Sequence, residues 1–85
     1  MIDLLRTFLA VVDGGGVTPA AAALNMSQAA ASQQVKRLED RLACRLFERV
    51  GRRLVLAPAG ERLLAQAQRL VTQSEELLSS MRRPG

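Results

Sequence analysis

Residues 18–40, TPAAAALNMSQAAASQQVKRLED, predict two helical segments and the turn between them. Thr18 followed by Pro19 is a common helix start, because the hydroxyl can cap the first turn and proline is tolerated at the first helical position. The helix is expected to stop near Asn25, a residue that tolerates the left-handed conformation. Ser27 then predicts the cap of a second helix. Two capped helices this close, with alanines at the junction, predict a helix-turn-helix.

The second helix, expected from Gln28 to about Arg41, has one apolar side and one side suited to reading bases. At 100° per residue, Ala31, Val35, Leu38 and Leu42 lie on one side and are predicted to form its buried stripe. The opposite side consists of Ala29, Ser32, Gln33, Lys36 and Asp40. Glutamine offers a paired donor and acceptor, serine bonds to several partners, and alanine can touch a thymine methyl. A solvated helix face has a similar composition, but the capped helix and turn before it favour base reading.

The segment from Leu46 to Leu56 predicts a short β-hairpin with Gly51 in its turn. Arg52 and Arg53 stand at the tip of this hairpin and Arg49 at its base. Arginines attached to a narrow hairpin suit the minor groove, where A·T-rich segments concentrate negative potential. An exposed turn can hold two arginines without any function. Its position directly after a helix-turn-helix favours a DNA-binding wing.

A first amphipathic helix is predicted over about 3–12, from the helical spacing of Ile2, Leu5, Phe8, Leu9 and Val12. Residues 14–16 are three glycines, which end that helix because glycine has a high entropic cost in helices. A glycine run can also cradle a phosphate. That alternative is weak here, since no strand precedes the run and no Gly-Lys-Ser/Thr follows it.

The last predicted helix begins at Pro58, reaches about Met81, and has an apolar arc along its whole length. A helix over 61–81 is about 31 Å long at 1.5 Å per residue, which is longer than a three-helix head can cover. The distal apolar residues would lie in water unless a second chain covers them. A membrane-lying helix is the alternative, but the polar face has too few cations to favour it. We therefore expect a homodimer through Leu63, Ala67, Leu70, Val71, Ser74, Leu77, Leu78 and Met81.

The charge is concentrated in the middle of the chain. The 85 residues have a net charge of +4, and residues 33–53 alone contain seven lysines or arginines against three acidic residues. A basic block of this kind indicates a surface that faces a polyanion. The length fits one domain, divided here into a head over 1–57 and a linker or dimerisation helix with its tail over 58–85.

The composition argues against metal, cofactor and catalytic chemistry. Cys44 is the one cysteine and there is no histidine, so no disulfide and no metal site are expected. The sequence has no pair of acids at a defined spacing and no nucleophile beside a base, so it does not predict an enzyme. No apolar run approaches the ~18 residues of a membrane span, and no signal peptide is apparent. A cytoplasmic protein without a cofactor is therefore expected.

Three segments in this order resemble the N-terminal DNA-binding domain of bacterial LysR-type transcriptional regulators. They are residues 18–40 quoted above, Leu46-Phe-Glu-Arg with Gly51-Arg-Arg, and Ala59-Gly-Glu. The resemblance covers about residues 2–80. It implies a mainly α-helical fold, a winged helix-turn-helix followed by a long helix that pairs with its twin. It also implies double-stranded DNA as the partner, read as a dyad with a T-N11-A core, and an effector that binds only to a domain absent from this chain.

The resemblance also implies roles for individual residues. Gln28, Ser32 and Gln33 would read bases, Ala29 would contact a methyl group, and Arg52 would be the wing residue. The candidates for backbone contacts are Ser27, Lys36, Arg49 and Arg53.

Four positions depart from the family pattern. Ala29 replaces a usual proline, Ala31 a usual leucine and Gln33 a frequent arginine, the last of which shifts the expected base preference towards adenine. Ala57 replaces the usual threonine cap of the linker helix. The chain stops where the effector domain of the family would begin, so an excised fragment is expected, with a naturally short regulator as the alternative. A protein-interaction module built on the long helix is the rival function, and binding to double-stranded RNA is disfavoured because A-form RNA hides its major groove.

Overall fold

Four helices and one hairpin make up the computed structural model, which describes residues 1–84. In chain order they are α1 (Ile2–Gly14), α2 (Val17–Ala23), α3 (Gln28–Leu42), β1 (Phe47–Val50), β2 (Arg53–Leu56) and α4 (Pro58–Arg82). The strands are antiparallel, and Phe47 pairs with Leu56 while Val50 pairs with Arg53. This architecture confirms the predicted winged helix-turn-helix with a long final helix.

The start of α2 differs from the sequence prediction. The N-cap is Gly16 rather than Thr18, and no side chain caps this helix. Thr18 and Pro19 are therefore its second and third residues. Proline is acceptable there, because the first N–H groups of a helix have no partner inside the helix. The glycine run still ends α1, through Gly15 with a left-handed φ of 76°.

The turn between α2 and α3 follows the sequence prediction closely. Asn25 adopts a left-handed φ of 56°, although α2 itself already ends at Ala23. The Ala30 N–H donates to Ser27 Oγ at 3.0 Å, which confirms Ser27 as the cap of α3. That bond satisfies one of the N–H groups at the helix end, so the beginning of the predicted recognition helix is well defined.

The core lies where α1, α2, α3 and the beginning of α4 meet. Phe8, Leu38 and Leu46 are fully buried, and the rings of Phe8 and Phe47 lie 5.4 Å apart, which attaches the hairpin to α1. The prediction that Leu42 is buried is wrong, because this side chain is 39% exposed. It is the last residue of α3, and Ala43 turns the chain away in a left-handed conformation. Leu38, one turn earlier, is the last leucine of the stripe inside the core.

Helix α4 extends well beyond the head. Its 25 residues correspond to a length of about 37 Å at 1.5 Å per residue, and the longest dimension of the molecule is 53 Å. Its first turns pack on the core through Ala59, Leu63 and Leu64. Among residues 1–84, no helix is both long enough and apolar enough to cross a bilayer.

Candidate nucleic-acid interface

Helix α3 presents its predicted base-reading side to solvent. Ala29, Ser32, Gln33 and Lys36 are all exposed, whereas Ala31 and Leu38 on the other side are buried. Residues three and four apart lie on the same face of a helix, so Ala29, Gln33 and Lys36 form one continuous row. The outer face of α3 is thus exposed to solvent from Ala29 to Lys36.

The two faces of the hairpin have different surroundings. Side chains alternate between the faces of a strand, so Phe47 and Arg49 share one face with their cross-strand partners Leu56 and Leu54. Phe47 is buried in the core, which places Arg49 on the side that faces the head. Arg53 pairs with Val50 on the opposite, outer face. Gly51 forms the turn with a φ of 64°, and exposed Arg52 follows it at the tip.

One depression joins the recognition helix to the wing. Gln28 and Ser32 of α3 line it together with Arg49 and Arg52 of the hairpin. Residues 15–19, at the beginning of α2, form another edge of it. Four of the nine predicted DNA-binding residues therefore meet in one concave, cationic surface. Gln33 and Lys36 continue this surface along α3, whereas Arg53 stands apart from it on the outer side of the hairpin.

Lys36 is available for an anionic partner despite its neighbour. Its Nζ lies 3.6 Å from Asp40 Oδ1, and both side chains are more than two-thirds exposed. An exposed pair of this kind contributes about 0–1 kcal/mol, so a phosphate oxygen can displace the carboxylate at little cost.

The apolar arc of α4 divides into two parts. Ala67 and Val71, two of the residues predicted for the dimer, are buried in the same core cluster as Leu4 and Phe8. The distal residues lie in solvent: Leu70 is 45% exposed, Leu77 62%, Leu78 47% and Met81 76%. The apolar surface left uncovered is therefore restricted to the second half of the helix.

This geometry is accompanied by a match over most of the chain. The model of the bacterial regulatory helix-turn-helix proteins of the lysR family matches residues 2–61. The chain belongs to the LysR family. Among its relatives, the regulator DgdR of Burkholderia cepacia is 45% identical over 80 residues, which are 94% of this chain and 27% of DgdR. The activator AmpR of Yersinia enterocolitica is 52% identical over 63 residues, which are 74% of this chain and 21% of AmpR. This LysR-family chain thus spans about a quarter of the length of these relatives.

Solved structures of the LysR family have the same fold. The DNA-binding domain of BenM, in a complex with catB site 1 DNA, superimposes with a TM-score of 0.90 at 31% identity and covers 98% of this chain and 93% of that one. The LysR family transcriptional regulator CbnR superimposes with a TM-score of 0.89 at 30% identity, over 96% of this chain and 28% of CbnR.

Sequence reasoning missed two residues that line this depression of the LysR-family head. Exposed Thr18 was assigned a capping role, yet it lines the depression beside Gln28 and Arg52. Leu54 lines it as well. No local pattern indicates either position, because the beginning of α2 and the hairpin are distant in sequence and are brought together by packing alone. In residues 1–84, no group of three or more His, Cys, Asp or Glu side chains is placed to hold a metal ion.

Proposed function

We propose that this chain binds double-stranded DNA sequence-specifically as a homodimer and is the DNA-binding part of a LysR-type transcriptional regulator. The observation that carries the proposal is the shared depression between α3 and the wing, lined by Gln28, Ser32, Arg49 and Arg52. A helix face and a cationic hairpin tip that border one concavity can engage a major groove and the adjacent minor groove together.

The roles of the residues follow from their positions. Gln28, Ser32 and Gln33 read base edges, and Ala29 contacts a methyl group of thymine. Arg52 enters the minor groove. Ser27, Lys36, Arg49 and Arg53 contact the backbone, which sets the orientation of the domain but does not specify sequence.

Two heads are joined through the distal half of α4. Exposed Leu70, Leu77, Leu78 and Met81 give that half an apolar surface that a second copy can cover. A two-fold dimer reads a dyad, for which we propose the T-N11-A core. The structure of a BenM DNA-binding domain in complex with DNA supports DNA binding by this fold. The expected location is the cytoplasm, without any catalytic activity or bound cofactor.

A salt titration on DNA selected from a random pool tests this function. Selection should enrich a dyad, and log K for that site should fall linearly with log salt as counterions are released. The selected duplex should bind about 10³-fold or more tightly than a scrambled duplex at physiological salt, the lower end for specific recognition. Equal affinity for both duplexes would exclude sequence-specific reading and leave the protein-interaction module as the function of the long helix.

A further inference from the structure

The backbone of Leu46, at the base of the wing, is held from two sides. Its N–H donates to Glu39 Oε2 of α3 at 2.8 Å, and its carbonyl accepts from the Ala57 N–H at the beginning of α4 at 2.9 Å. The Leu46 side chain is fully buried. The backbone of one residue therefore connects the recognition helix, the wing and the long helix.

Gly60 of α4 lies against the carbonyl of the same residue. This glycine is buried, and a Cβ at its position would lie 2.2 Å from the Leu46 carbonyl oxygen. No side chain fits at that distance, so the first turn of α4 rests directly on the base of the wing. The close approach requires glycine at this position because of space, independently of backbone conformation.

Glu39 acts as a hydrogen-bond acceptor and not as a member of an ion pair. Arg45 and Arg49 line the same small cavity as Glu39, but within residues 1–84 the one ion pair joins Lys36 to Asp40. The carboxylate instead satisfies a backbone N–H that is partly buried. A buried donor left without a partner is unfavourable, so the bond strongly favours one orientation of β1 relative to α3.

We propose that Glu39 and Gly60 are positioning residues of the wing, which set its direction relative to α3 and α4 through the backbone of Leu46. Neither residue touches DNA in this proposal. Their effect on DNA is indirect, because Arg49 and Arg52 belong to the hairpin that starts directly after Leu46. The inference rests on the proposed function in assuming that the wing reads the minor groove.

The test measures flank preference, the ratio of affinities for sites with A·T or G·C pairs beside the half-sites. Glu39→Ala should abolish the wild-type preference while the ranking of sites mutated inside the half-sites stays unchanged. Glu39→Gln keeps an acceptor and should retain the preference. Glu76→Ala is the matched control, since it removes an exposed carboxylate from the far half of α4. Gly60→Ala should also reduce the flank preference, because the added Cβ displaces the Leu46 carbonyl.

Amide hydrogen exchange on the free protein provides a readout that does not depend on DNA. The Leu46 amide should be protected in the wild type and in Glu39→Gln, and should exchange faster in Glu39→Ala while the core amide of Leu38 stays protected. An unprotected wild-type Leu46 amide, or an unchanged flank preference in folded Glu39→Ala, overturns the inference. If the wild type has no flank preference, the proposed role of the wing is wrong. Hydrogen exchange then shows separately whether Glu39 holds the Leu46 amide.

Discussion

Gln33 stands at the centre of the exposed row on α3, between Ala29 and Lys36. We expect Gln33→Ala to reduce discrimination between wild-type and point-mutated sites, since a bidentate amide–base pair contributes about 1–3 kcal/mol of it. Competition binding with a panel of mutated sites measures the effect. Gln68→Ala, the same change at an exposed position of α4, should leave the panel unaltered. If Gln33→Ala preserves the wild-type ranking of sites, Gln33 does not read a base.

Ser27 and Ala57 are the N-caps of α3 and α4, and only Ser27 caps its helix with a side-chain hydrogen bond. Ser27 Oγ accepts from the Ala30 N–H, whereas Ala57 caps α4 with no side-chain hydrogen bond. Ser27→Ala should lower the free energy of unfolding, and Ala57→Ser should raise it, each by about 1 kcal/mol. Urea denaturation without DNA, at one fixed protein concentration, measures both. A stability that is unchanged or lowered in Ala57→Ser would show that the buried surroundings of Ala57 do not admit a hydroxyl.

At the scale of the element, the wing and the recognition helix should differ in what they detect. Arg52→Ala is expected to weaken binding most at sites flanked by A·T pairs, because narrow minor grooves concentrate negative potential. Lys36→Ala should weaken all sites alike and reduce the slope of log K against log salt by about 1, since a phosphate contact has no sequence information. Both variants are titrated on A·T- and G·C-flanked sites at several salt concentrations. If Arg52→Ala loses the same factor in affinity on A·T- and G·C-flanked sites, the wing contacts phosphates only and does not read the minor groove.

At the scale of the whole molecule, the distal half of α4 determines the oligomeric state. Replacing Leu70 and Leu77 with glutamate should produce a monomer, because both side chains belong to the exposed apolar surface and buried unpaired charges are strongly unfavourable. Analytical ultracentrifugation at micromolar concentration measures the change. Thr72→Glu with Ser79→Glu adds the same charge to the polar side of the helix and should remain dimeric. A wild-type chain that is monomeric in this experiment excludes the dimer.

Local features of the sequence are sufficient to predict the order of the elements and which of their faces are apolar or polar. Ser27, Asn25 and Gly51 act through their own backbone and near neighbours, so their roles at a cap, a turn and a hairpin could be predicted locally. The exposed row on α3 could also be predicted locally, because it depends only on the spacing of residues within one helix. The local prediction fails at Thr18. This residue has the properties of an N-cap, but it lies inside α2, because the helix begins at Val17 with Gly16 as its N-cap.

The tertiary structure alone decided which surfaces meet. Periodicity placed Ala67 and Leu77 on one arc of α4, yet the first is buried against the core and the second is exposed, because the head covers only the first part of that helix. Leu42 is apolar and in phase with Leu38, but the chain turns away after it and leaves it exposed. Thr18 and Arg52 line one depression, and Glu39 accepts from the Leu46 N–H, because folding brings separate segments together. Such contacts depend on how elements pack, and no periodicity within a single helix or strand specifies that.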